Sequence, residues 1–160
     1  NQLKNDLITT TVLELITALH QANLATKNLL AEGQTLSNLD KKLTQKIQLL
    51  LNCGVLMNAV DKIEETVKEK IVLPAVRIII ENFKSSAKFY SMKKNDLSTF
   101  LNSLLSLFND PCGLLLEIST GRYQNLTGIP GYDFAVRSIW PEIVDQIQSN
   151  FPHLFLVLQS

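Results

Sequence analysis

The chain is poor in the residues that break helices. It holds 6 Gly and 5 Pro in 160 residues, and only Gly33, Gly54 and Pro74 fall before Leu105. No stretch alternates apolar with polar side chains, which argues against half-buried strands. Cysteine is equally scarce. Cys53 and Cys112 are too few for a disulfide framework and read as reduced, buried thiols. His20 and His153 each stand alone, dozens of residues from any cysteine, whereas structural zinc sites show closely paired ligands. Carboxylates adjoin only as Glu64–Glu65, placed on a wet helix face with Lys68 four residues after Glu64. No phosphate loop follows a strand and no Ser or Cys sits in a nucleophile elbow. The expectation is a chain without catalytic, cofactor-binding or metal-binding residues, taking no small-molecule substrate.

Long apolar runs are missing too. The longest charge-free interior run, Ile47 to Val60, has 14 residues and includes Gln48, Asn52 and Asn58. A spanning helix needs about 20 mostly apolar residues. No basic-then-apolar leader opens the chain. Net charge is absent, with 15 basic and 15 acidic residues, so the whole chain gives no electrostatic reason to expect nucleic acid. The first residue is Asn1, and the apolar run Leu154 to Leu158 leads straight to Ser160. The chain therefore reads as a piece of something longer.

What is present is helical periodicity. Leu3, Leu7, Ile8, Leu15, Ile16, Leu19, Ala22 and Leu29 recur at steps of three, four and seven, predicting a helix to about Ala31 that Gly33 stops. Ser37 with Asp40 suggests the next start, and Asn52–Cys53–Gly54 a stop or break. Leu56, Ala59, Val60, Ile63, Val67 and Ile71 resume the stripe. Pro74 predicts a kink or a fresh start before Val76, Ile79, Ile80 and Phe83, on a helix reaching about Tyr90. Asn95 or Asp96 caps the next helix, and Asp110–Pro111 opens another. The fold class expected is all-α: long amphipathic antiparallel helices in a bundle or rod, with successive helices over 1–118. A loop over 119–131, a final helix over 132–150 and a tail complete one segment.

Charge is uneven along the chain. Lys41 to Lys94 carries 11 of the basic and 5 of the acidic residues. Within it Lys84, Lys88, Lys93 and Lys94 interleave with Phe89, Tyr90 and Met92. This is either a helix end whose lysines complement the dipole or a basic patch for an acidic helix or anionic membrane. The loop holds a formal glycosylation triplet, Asn125–Leu126–Thr127. With a Cys53–Cys112 bridge, that triplet would suit a secreted four-helix, cytokine-like protein.

The densest cluster of breakers and aromatics is GIPGYDFAVRSIWPEIV, Gly128 to Val144. Gly131 allows an unusual backbone, Asp133 can cap the following helix, and Tyr132 can staple its entry. Val136, Ile139, Trp140, Ile143 and Ile147 recur at helical spacing, which places Trp140 on the core side, and Pro141 predicts a kink at Trp140–Pro141. Pro130, Gly131, Tyr132, Asp133, Phe134, Trp140 and Pro141 thus form a candidate structural corner, with partner contact the second reading.

The same residues carry a resemblance. Pro130-Gly131-Tyr132-Asp133-Phe134, then Trp140-Pro141, then Pro152, Leu154 and Phe155 resemble the interior of the subunit 2 family of the conserved oligomeric Golgi (COG) tethering complex. Pro74, the run Ile78 to Phe83, and Cys112 to Glu117 are similar to the same family at fitting distances. The resemblance covers about Val60 to Phe155. It implies a helical, coiled-coil-like, non-enzymatic subunit on the cytosolic face of Golgi membranes, a peripheral membrane protein acting in intra-Golgi retrograde protein transport. Other subunits of the complex, SNAREs and Rab GTPases are the implied partners. The implied mechanism is mechanical: an elongated rod whose free apolar stripes are completed by neighbouring subunits.

Overall fold

The first helix, α1 (Gln2–Ala31), buries Val12, Leu15, Ile16, Leu19 and Ala22 along one side. Two of its threonines bond back: the Thr9 hydroxyl donates to the Asn5 carbonyl and Thr17 to that of Leu13. The helix ends where Gly33 takes φ +75°, so that the Gln34 amide can reach the Leu29 carbonyl at 2.8 Å. These observations come from a computed structural model that describes residues 2–34, 40–85, 93–108, 112–120 and 131–152. The Ser37 start, the Asp110–Pro111 start, Lys88, the glycosylation triplet, Pro130 and His153 lie outside the described residues.

Asp40 caps α2 (Lys41–Leu56), its carboxylate accepting from the Lys42 amide at 3.0 Å. The expected stop at Asn52–Cys53–Gly54 does not occur. The helix continues to Leu56 and turns at Asn58, φ +55°, whose neighbour Ala59 donates back to the Gly54 carbonyl at 2.8 Å. Gly54 is needed for close approach instead. A Cβ there would collide with the Tyr132 hydroxyl and with Cδ1 of Ile63.

Residues 60–84 form one unbroken helix: α3 (Val60–Val67), a π turn over Lys68–Val72, and α4 (Leu73–Lys84). In a regular α-helix the Pro74 ring would strike the Lys70 carbonyl and leave it without a donor. The π turn opens the coil just before the proline, with the Leu73 amide bonding to Lys68, five residues back. Pro74 therefore neither ends the helix nor starts a new one. The remaining elements are α5 (Lys94–Leu105), a 3₁₀ turn (Ser106–Phe108), α6 (Gly113–Thr120), a second π turn (Ala135–Ile139) and α7 (Trp140–Asn150). Asp96 sits in the first turn of α5, where its carboxylate accepts from the Lys93 amide at 3.3 Å.

The elements assemble as an all-α bundle. The α1–α2 hairpin packs on α3, and the two π turns lie against each other. Helix α4 packs on α5 and α7. Three aromatic rings close this end: Phe83 from α4 lies 4.4 Å from Phe100 of α5, and Phe151, just past α7, lies edge-on to both. None of the described helices is long and apolar enough to cross a membrane.

Candidate functional site: the corner before the last helix

At the corner Gly131 takes φ +102°, in the region that favours glycine. Tyr132 then drives its ring into the bundle, where only 6% of it stays exposed, and its hydroxyl donates to the Leu51 carbonyl at 2.8 Å. The notch it fills is the one left by Gly54. Burial pushes the phenol pKa well above its ordinary value, and the nearby Glu64 carboxylate and Cys53 add to the effect. Phe134, fully buried, stacks on Tyr132 at 5.5 Å.

Glu64 organises the polar side of this corner. The sequence places it on a wet helix face beside Lys68; the structure buries it to 2% exposure. Its two carboxylate oxygens accept from the Asp133 amide at 2.9 Å and the Arg137 guanidinium at 3.1 Å. Its backbone carbonyl accepts from the buried Ser138 hydroxyl at 2.7 Å. Arg137 also donates to the Gly131 carbonyl, so one guanidinium ties the turn to α3. The Asp133 carboxylate in turn accepts from the Val136 amide at 3.2 Å. Lys68 pairs with Glu65 at 4.0 Å and with Asp145 of α7 at 3.8 Å, not with Glu64. A carboxylate so fully engaged is a fixed acceptor that joins two elements.

Trp140 is where the sequence expectation fails. It is 52% exposed, and Val136 on the same face is 63% exposed. The helix does not break between Trp140 and Pro141. It passes from the π turn, where the Trp140 amide bonds to Ala135, straight into α7. The extra residue in that turn moves Ile139 into the core position, five residues after Phe134, and rotates Trp140 outward.

The lysines of the basic segment are divided. Lys84 donates to the Asn150 side chain at 2.6 Å and so faces α7, while Lys93 and Lys94 are exposed at the start of α5. Cys53 and Cys112 are not joined by a disulfide, so the bridge of the secreted reading is not formed; Cys112 is buried and Cys53 only half-buried. Among the described residues no group of three His, Cys, Asp or Glu is placed to hold a metal ion.

Reading Glu64, Arg137 and Ser138 from sequence alone would have required one clue. Glu64 falls inside the apolar stripe of Val60, Ile63, Val67 and Ile71, so a carboxylate there needs a buried partner.

No family model and no solved structure matches the chain. Among curated proteins, the human conserved oligomeric Golgi complex subunit 2 is 33% identical over 146 residues, which cover 88% of this chain and 18% of that protein. The chain thus spans less than a fifth of the relative's length and is related to one segment of a conserved oligomeric Golgi complex subunit.

Proposed function

We propose that the protein serves as a structural, non-enzymatic part of a Golgi vesicle-tethering complex acting in intra-Golgi retrograde transport. The observation that carries this reading is the 33% identity to conserved oligomeric Golgi complex subunit 2 across 88% of the chain. The geometry is compatible with it. The polar groups of the corner engage one another, and large apolar side chains such as Leu24, Leu56 and Trp140 remain on the outside. Such side chains suit assembly with neighbouring subunits. Other subunits of the complex are the first partners, with SNAREs and Rab GTPases further candidates, on the cytosolic face of Golgi membranes. Pro130 to Phe134 with Pro141 serve as an internal corner in this reading, and exposed Trp140 is free for partner contact.

The test is co-isolation. Tagged full-length protein should localise to the Golgi and sediment with the other complex subunits. Secretion into the medium with a glycan on Asn125 would replace this reading with the cytokine-like one.

A further inference from the structure

Helix α2 buries Thr44, Ile47, Leu50, Leu51 and Gly54 and turns its opposite face outward. On that outer face Leu49 is 63% and Leu56 is 85% exposed. Lys42, Leu49 and Leu56 follow one another at intervals of seven residues, the spacing of a coiled-coil seam. Lys41 and Lys46 are exposed on either side of this seam, at the positions that set partner choice in coiled coils. The helix contains no acidic residue. Lys41 and Lys42 also occupy its first turn, where the helix dipole disfavours cations. The adjoining Asp40 is already engaged in capping. Stability within the chain therefore does not account for these lysines.

We infer that the outer face of α2 docks an acidic amphipathic helix from another protein chain. The inference rests on the tethering-subunit reading and specifies the face and the charge of the partner. The partner's leucines would pack between Leu49 and Leu56, while its Asp or Glu side chains meet Lys41, Lys42 and Lys46. Gln45 and Asn52 lie between the seam residues and would fix the register. The exposed apolar side chains of α2, Leu49, Val55 and Leu56, make a narrow stripe, which suits a facing helix. A membrane-lying helix presents a broad apolar face with aromatic residues, and this one has none. A second copy aligned in parallel would set Lys41 against Lys46 of that copy, like charge against like.

The test uses the full-length protein in its native assembly, with p-benzoylphenylalanine at the position of Leu49 or Leu56 and, as comparator, of Leu24 on α1. Irradiation should give adducts at 49 and 56 with another chain, mapping to a helix whose facing side carries Asp or Glu. The triple change Lys41→Glu, Lys42→Glu, Lys46→Glu should cut that yield at least tenfold. Glutamate in the first turn favours the helix, and an unchanged circular dichroism spectrum would show that the fold is kept. An adduct to lipid, to a second copy or to a segment without acidic residues overturns the inference, as does no adduct at either position. Co-isolation with the complex but no such adduct removes this inference alone, and failure to co-isolate removes both readings.

Discussion

Gly54 illustrates how a residue can be noticed for the wrong reason. The sequence offers it as a stop; the structure uses its missing side chain as the socket for Tyr132. Gly54→Ala forces Tyr132 and Ile63 to shift and is expected to cost about 1–3 kcal/mol, despite alanine's better helix propensity. Urea denaturation checks this, and a stabilised variant would refute the socket. Tyr132 makes a pH prediction. Its phenol holds the proton above the ordinary value of 10.0, so the unfolded chain loses that proton first as pH rises. Its contribution is intact below about pH 10 and declines above, with a slope of up to about 1.4 kcal/mol per pH unit. Tyr132→Phe should be about 1 kcal/mol less stable at neutral pH through the lost bond to Leu51, and should lack that share of the alkaline decline. An unchanged alkaline slope would contradict the assignment.

Among the elements, the two π turns explain the largest departures from the expected pattern. Core positions run in fours, Ile63 to Val67 and then Val72, Val76 and Ile80, with a step of five across the first turn. Phe134, Ile139 and Ile143 repeat the same five-then-four rhythm across the second. In both helices a proline, Pro74 or Pro141, is the second residue past the π turn. Helix type was legible because the stripes are long. The extra residue was not, since 3.6-residue stepping carries no mark of it and admits Trp140 beside Ile139. Deleting exposed Lys70 together with Pro74→Ala should restore a regular α-helix and keep the later stripe in phase, at a cost under about 2 kcal/mol. Deleting Arg77 from the middle of α4 instead rotates the residues after it by about 100° and should unfold the bundle. Equal damage from both deletions, measured by thermal melts, would count against the π turn as the site of the extra residue.

At the scale of the whole molecule, aromatic residues divide between core and surface. Phe83, Phe100 and Phe151 close the end where α4, α5 and the exit of α7 meet, so Phe100→Ala should cost about 3–5 kcal/mol. Trp140→Ala should change stability by less than about 1 kcal/mol, because about half of that side chain already faces water. Trp140 is the only tryptophan, so its fluorescence reports this directly. Emission should be red-shifted in the native state and readily quenched by iodide; a blue-shifted, protected signal would place it in the core. The sequence by itself determined the helical class and offered residues 130–141 as a candidate corner. Long periodic stripes, scarce breakers and turn chemistry are local properties, and local properties are written in order along the chain. The tertiary structure alone decided which side chains face inward after each proline, and that Glu64 is a buried acceptor and not a wet surface charge. Those outcomes depend on one added residue per turn and on partners more than 60 positions away. Neither is encoded in the spacing of any single helix.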